Sequence, residues 1–334
     1  MRAALMWTIS DFPAYAMLSG WGTTSASKTA CPYCREQSQA FRLPNGGKIS
    51  WFDNHRKFLP QNHPFRRNKS KFIKNRVEMR LPPPVKSGSE ILKEIEEYGL
   101  LKVTESDADD VNKACSKVCG WRKRSIFWDL PYWKTYLIRH NLDVMHIEKN
   151  VFENLFNTIM NIEQKTKDNG KAREDVKLFC NRKELEKNPI TGKYPKACYS
   201  LDKDSKQVIC DWVKGVKFPD GYVSNLGRCV DLSKYKLFGM KSHDCHIFMQ
   251  RLIPIAFREL LPNNVWEAIT ELSLFFKSLT TTVIKCEDMK KLEEDIPVII
   301  CKLESIFVPG FFDSMEHLPI HLPYEAKKAG PTQY

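Results

Sequence analysis

Apolar residues recur along this chain at the spacing of helix faces in some stretches and cluster into short runs in others. From Leu142 to Ile162, the positions Ile147, Val151, Leu155, Ile159 and Ile162 predict a long helix with Glu148 near its start. The last third repeats the rhythm three times: Leu252 to Leu260, Val265 to Leu279, and Met289 to Ile306. Pro262 separates the first two of these helices, and Pro297, which lacks a backbone donor, is expected to kink the third. At the other end, residues 3–9 read as a short buried strand, followed by Asp11 and a loop with Pro13.

Between these patterns the chain is more polar. Ser19 to Pro84 is rich in Gly, Pro, Asn, Ser and basic residues, reads as a loop-rich insertion, and stops at Pro82-Pro83-Pro84. Ser89 opens a short amphipathic helix with Ile91, Leu92, Ile95 and Tyr98 on one face and Gly99 as its C-cap. The acidic stretch Glu105 to Asp110 reads as a linker, and residues 165–205 as polar, lysine-rich and turn-like.

Composition adds a compartment and a partner class. The chain has 334 residues, 42% of them hydrophobic, enough for a core over most of its length. Eleven cysteines without a regular framework, and an N-terminus without a signal-peptide pattern, predict an intracellular, non-secreted protein. No apolar stretch reaches the ~18 residues of a membrane span, so no membrane role is expected. The formal charge of +12 is concentrated at Arg66, Arg67, Lys69, Lys71, Lys74, Arg76 and Arg80, with a second cluster at Arg122-Lys123-Arg124. A polyanion such as DNA is the natural partner, with Phe65 and Phe72 available for stacking; the alternative is a solvated basic loop.

The chemistry-bearing residues suggest metals. Cys31-Pro-Tyr-Cys34 has the spacing of a zinc knuckle, because two intervening residues let both sulfurs reach one ion. A redox pair and two plain buried thiols are the alternatives. His140 and His146, flanking the start of a helix, are the first choice as the remaining ligands; Cys115 with Cys119, and His243 with Cys245 and His246, are the others. Asp11, Asp143 and Glu148 are carboxylates of the type that hold Mg²⁺ for phosphodiester chemistry, although spacing alone favours Asp143 as a helix cap and Glu148 as a partner of the helix dipole.

The phrases WTISDFPAYAMLSGWG, CPYC, SWFDNHRKFLPQNHPFRRNKSKF, LPYWKTYLIRHNLDVMHIEKNVFENLFNTI, KSHDCHIFMQRLIPIAFRELLP and LEEDIPVIICKLESIFVPGFFDSMEHLPIHLPYEA together resemble the Tnp2-type transposase of plant CACTA (En/Spm-like) transposons. The resemblance implies a partial RNase H-like catalytic core, of the α+β or α/β class, with a zinc-knuckle insertion over residues 1–165. A polar connecting region would follow at 166–244, then a mainly helical DUF4218-like domain at 245–334, cut short at its C-terminus. It implies a nuclear, DNA-binding protein of the DDE/D class, with Asp11 as the second acid, Glu148 or its rival Glu153 as the last, and both metals, zinc structural and Mg²⁺ catalytic. Asp143-Val-Met-His146 matches the family's C/D-x-x-H motif.

The first acid is absent from the ten residues before Asp11, so the expectation is a remnant that binds zinc and DNA but does not cut DNA alone. The competing reading is a non-catalytic DNA-binding or protein-interaction module. In that reading the helical C-terminal third binds partners through Phe275, Phe276, Phe307, Phe311 and Phe312, residues that would otherwise be core packing.

Overall fold

The computed structural model describes residues 3–23, 27–100 and 120–331 as a mixed helix-and-sheet protein in which helices dominate. Strand β1 (Thr8–Ser10) pairs in parallel with β4 (His140–Leu142), in the register Thr8 to His140 and Ser10 to Leu142. Each strand runs straight into a helix. Helix α1 (Phe12–Ser19) follows β1, and α4 (Val144–Ile159) follows β4. The aspartate after each strand caps its helix: Asp11 accepts from the Ala14 N–H at 2.8 Å, and Asp143 from the His146 N–H at 3.0 Å. The parallel register therefore sets Asp11 and Asp143 side by side at the strand ends.

The N-terminal run is less buried than its apolar content suggests. Met6 and Ile9 are more than half exposed, because β1 belongs to a pair of strands and not to the centre of a sheet. Two antiparallel pairs, β2 (Phe41–Arg42) with β3 (Ile49–Ser50) and β5 (Val230–Asp231) with β6 (Lys236–Leu237), complete the sheets among the described residues.

The helices follow the predicted periodicity with shifted ends. Besides a single turn, α2 (Pro64–Arg67), there is α3 (Gly88–Glu97), which starts two residues early because Ser87 and Glu90 form a capping box. The turn-like reading of residues 165–205 is corrected by α5 (Gly170–Phe179), capped by Asn169, whose Val176 is fully buried. Helix α6 (Lys203–Gly215) buries Ile209, Cys210 and Val213. Next, α7 (Ser242–Ile247) passes through a π-helical turn at Phe248–Leu252 into α8 (Ile253–Ala256). Pro262 caps α9 (Asn263–Leu279), and Pro297 lies inside α10 (Cys286–Ile306). The chain closes with α11 (Ser314–His317), a 3₁₀ turn (Leu318–His321) and α12 (Leu322–Ala329).

One hydrophobic core runs through all of this, from Phe12 and Trp51 through Phe152, Val176 and Ile209 to Phe276, Phe312 and Ala326. Residues 300–325 are stitched to the N-terminal half by polar contacts inside that core. Glu304 accepts from the Asp53 N–H at 2.5 Å and lies 2.6 Å from His55 Nδ1. The Trp51 N–H donates to Phe312 O at 2.9 Å, and Asn154 donates to Phe311 O and Glu316. The C-terminal aromatics Phe275, Phe276, Phe307, Phe311 and Phe312 are each at most 2% exposed, so they are core and not a partner-binding face. A second, smaller cluster gathers Trp21, Ile91, Ile95, Trp121, Trp128 and Trp133. The expected acidic linker 105–110, and Cys115 and Cys119, lie outside the described residues.

Candidate metal centre

The knuckle Cys31 to Cys34 folds as a tight turn in which the Cys34 N–H points at Cys31 Sγ at 3.3 Å and the Arg35 N–H donates to Cys31 O at 2.9 Å. Arg35 adopts a left-handed φ of 49°, which turns the chain away from the sulfurs. Facing them across the core are His317 and His321, four apart on the run that joins α11 to α12 and therefore on one helical face. Cys31 Sγ lies 3.3 Å from His321 Nε2, Cys34 Sγ 3.2 Å from His317 Nε2, and the two Nε2 atoms are 3.3 Å apart. All four donor atoms lie within 4.8 Å of one another.

These separations suit one ion. A tetrahedron with Zn–S near 2.3 Å and Zn–N near 2.05 Å has N–N edges of about 3.3 Å and S–N edges of about 3.6 Å. The charge also balances, since two thiolates neutralise Zn²⁺ and a neutral complex is tolerated in a buried site. Burial pushes His317 down to about 3, so its imidazole is neutral and able to ligate. Burial also raises the Cys34 thiol, and its hydrogen bond with Cys31 raises it further; Cys31 is drawn down, against its burial, by that hydrogen bond and by the two histidines. Trp51 stacks on His317 and Tyr33 on His321, at centroid distances of 4.7 and 4.6 Å, which fixes both rings. Tyr33 donates to Glu325 at 2.5 Å, and Glu325, pushed up to about 8 by burial, also accepts the Leu142 N–H at 2.8 Å. The centre is thereby tied to the end of β4. Lys57, buried, donates to Gln37 O and faces both thiols.

The other expected ligands stand elsewhere. Among the described residues this is the one group of three or more such side chains that converges. His140 lies on β4, 2.8 Å from Thr8 Oγ1, with Tyr15, Phe127 and Trp133 around its ring. Burial holds it down near 3. His146 sits in the first turn of α4, where its N–H is taken by the Asp143 cap. His243 lies 3.0 Å from Tyr222 O, and Cys245 is buried without joining the group. The overlooked signal was His317-Leu-Pro-Ile-His321, the H-x₃-H half of a Cys₂His₂ pattern whose halves are 283 residues apart at Cys34 and His317.

Of the proposed Mg²⁺ carboxylates, Asp11 and Asp143 stand at adjacent strand ends as helix caps, and no group of three carboxylates converges among the described residues. Asp11 is exposed at its strand end, but Glu148 is fully buried, 2.6 Å from His246 Nδ1 and 2.9 Å from the Gln250 amide nitrogen. Its rival Glu153 is half exposed and pairs with Lys149 at 3.8 Å.

The basic stretch divides in two. Arg66 is 1% exposed and donates to the carbonyls of Lys57, Leu59, Glu78 and Arg80. Arg56 pairs with Asp53 and donates to the carbonyls of Phe65, Arg66, Asn68 and Arg76. Arg76 pairs with Glu78 at 2.5 Å, and Phe72 is fully buried. Arg66 and Phe72 are thus internal scaffolding, Arg76 is only partly exposed, and Arg80 also pairs with Glu78, while Arg67, Lys69, Lys71 and Lys74 are exposed to solvent. Lys177 and Lys183 are exposed beside them, because the Lys74 N–H donates to Phe179 O and the Asn181 N–H to Ser70 O.

Residues 1–98 match the family model described as Transposase family tnp2, and residues 279–334 match the Domain of unknown function DUF4218. The chain is related to transposases. Neither a curated protein nor a solved structure matches it. Set on the fold, the two matches divide the metal centre between them: the tnp2 segment carries Cys31 and Cys34, and the DUF4218 segment carries His317 and His321. No described helix is long and apolar enough to cross a membrane.

Proposed function

We propose that this chain is a transposon-derived DNA-binding protein of the plant CACTA type, acting in the nucleus, in which a structural zinc clamps the DUF4218 segment onto an RNase H-like unit. The observation that carries the reading is the Cys31, Cys34, His317 and His321 cluster, shared between the two matched segments. The parallel pair β1 and β4, each followed by an aspartate and a helix, supports the RNase H-like part of the reading. Zinc here is architectural. Its four protein ligands are at most 8% exposed, and a closed four-ligand site is the structural kind.

The reading assigns binding to the chain and not strand cleavage, because Glu148 is committed to His246 and Gln250 inside the core. DNA would run along Arg67, Lys69, Lys71 and Lys74, whose loop is held in shape by the buried Arg56 and Arg66. Fluorescence anisotropy with a DNA duplex, over a range of salt, tests this. Lys69→Gln, Lys71→Gln and Lys74→Gln together are expected to make the log–log salt slope shallower by about 0.9 for each phosphate that is no longer neutralised. Absence of binding at low salt, or an unchanged slope in the triple variant, would sink the proposal.

A further inference from the structure

A second site lies beside the metal knuckle, where Pro32 and Tyr33 form one wall of a cavity of about 70 Å³. That is room for about two waters or one tetrahedral oxyanion. Arg35, Lys86 and Arg139 line it, and none of its lining residues is acidic. Two of the three cations are compensated from behind by one carboxylate: Glu94 accepts from Arg35 at 2.7 Å and from Lys86 at 2.6 Å. Glu36 adds a longer contact to Lys86 at 3.7 Å.

Arg139 has no such partner. Its guanidinium donates to Tyr136 O at 2.6 Å and rests 5.8 Å over the Trp128 ring, with no carboxylate in ion-pair reach among the described residues. A Cβ at Gly88 would lie 2.7 Å from Arg139 Nη1 and 2.3 Å from Lys134 O, so glycine at the start of α3 is what admits the side chain. Burial and the neighbouring Arg35 depress the guanidinium, while Tyr15 and Tyr33 raise it. A partly buried guanidinium without a counter-ion is a ready partner for an anion.

An independent observation points the same way. Trp128 is 8% exposed and lines the cavity, yet its buried indole N–H has no acceptor among the described residues. The other two indoles in this wall are satisfied, Trp21 by Thr29 O and Trp121 by Glu94. Trp133 also lacks an acceptor but does not line the cavity. An indole N–H and a guanidinium, both short of acceptors around one small cavity, are the donor set of an oxyanion site.

We propose that this cavity binds a phosphate-type oxyanion, held by Arg139 and Lys86 with the Trp128 N–H as a further donor. The site shares no residue with the exposed lysine ridge, so it stands or falls separately from the DNA reading. The oxyanion could be a phosphate of a nucleic-acid backbone or a free phosphate, which share this chemistry.

The test is thermal unfolding and titration calorimetry of the full chain with inorganic phosphate, at ionic strength held constant with chloride. Saturable stabilisation by phosphate over chloride is expected, with affinity at least tenfold weaker in Arg139→Met, which keeps the stem and removes the charge. If Arg139→Met does not fold, Lys86→Met, at a partly exposed position, is expected to weaken phosphate several-fold. Competition between phosphate and a short single-stranded oligonucleotide would assign the site to nucleic-acid backbone; binding of phosphate without competition would assign it to the free anion. No saturable effect in the unaltered chain, or undiminished affinity in the folded variants, would overturn the proposal.

Discussion

Removing the metal, or one of its two distal ligands, should loosen the whole molecule and not only one loop. The perturbation is His321→Ala, or refolding in the presence of a chelator. The magnitude follows from the length of chain the centre closes. Cys34 and His317 are 283 residues apart, and cross-linking over such a loop lowers the entropy of the unfolded chain by an amount worth about 5–6 kcal/mol at 25 °C. That figure is the order of magnitude of the cross-link's share, and residual zinc affinity of the unfolded Cys-x₂-Cys pair reduces it. With an unfolding entropy of about 2.1 cal/mol/K per residue, that corresponds to about 8 °C in melting temperature for a chain of 334 residues. The assay is elemental analysis combined with thermal unfolding: one zinc per chain is expected in the parent, none in Cys34→Ser or His321→Ala, and one in His146→Ala. Zinc retained in His321→Ala and lost in His146→Ala, or a melting temperature indifferent to zinc in the parent, would refute the reasoning.

Other consequences follow from the buried polar groups. Glu304→Ala strands the His55 ring and the Asp53 N–H in the core, so a loss of about 3 kcal/mol is expected in urea unfolding, and a change below about 0.5 kcal/mol would contradict it. His140 is held near 3 by burial and by Arg139, well below the unfolded value of about 6.5. The native chain therefore binds fewer protons than the unfolded one between those values, and stability falls as pH drops through 6.5 towards 3. At pH 5 this residue's share is about 2 kcal/mol. His140→Gln should show that much less acid sensitivity when urea midpoints at pH 7 and pH 5 are compared with the parent's. Arg66→Ala removes the donor to four loop carbonyls and should lower the melting temperature by several degrees, whereas Lys71→Ala on the exposed ridge should leave it unchanged.

Much of this architecture is legible in the order of residues, because it rests on short-range rules. The 3.6-residue rhythm marks α4, α9 and α10 directly, Pro262 marks a helix start, and Asp143 caps its own helix through a contact three residues away. The Cys-x₂-Cys turn is likewise local, and so half of the metal centre can be read without a fold. Helix α5 escaped because its stripe is only Ala172, Val176 and Phe179 among charged residues, a pattern that looks like a loop until the core is there to receive it.

Long-range pairing is what the order of residues could not supply. Eight histidines compete for two places beside the cysteines, and nearness in sequence favoured His140 and His146. The closed core selected His317 and His321, because α11 and α12 cross the knuckle while β4 turns His140 towards Thr8 and the aromatic cluster. Arg66 and Lys69 look alike as charges, yet one satisfies buried carbonyls and the other meets solvent. Glu148 was equally ambiguous until α7 and the π-helical turn placed His246 and Gln250 against it. A residue's type states what it can bond to, and packing alone determines which of those bonds is within reach.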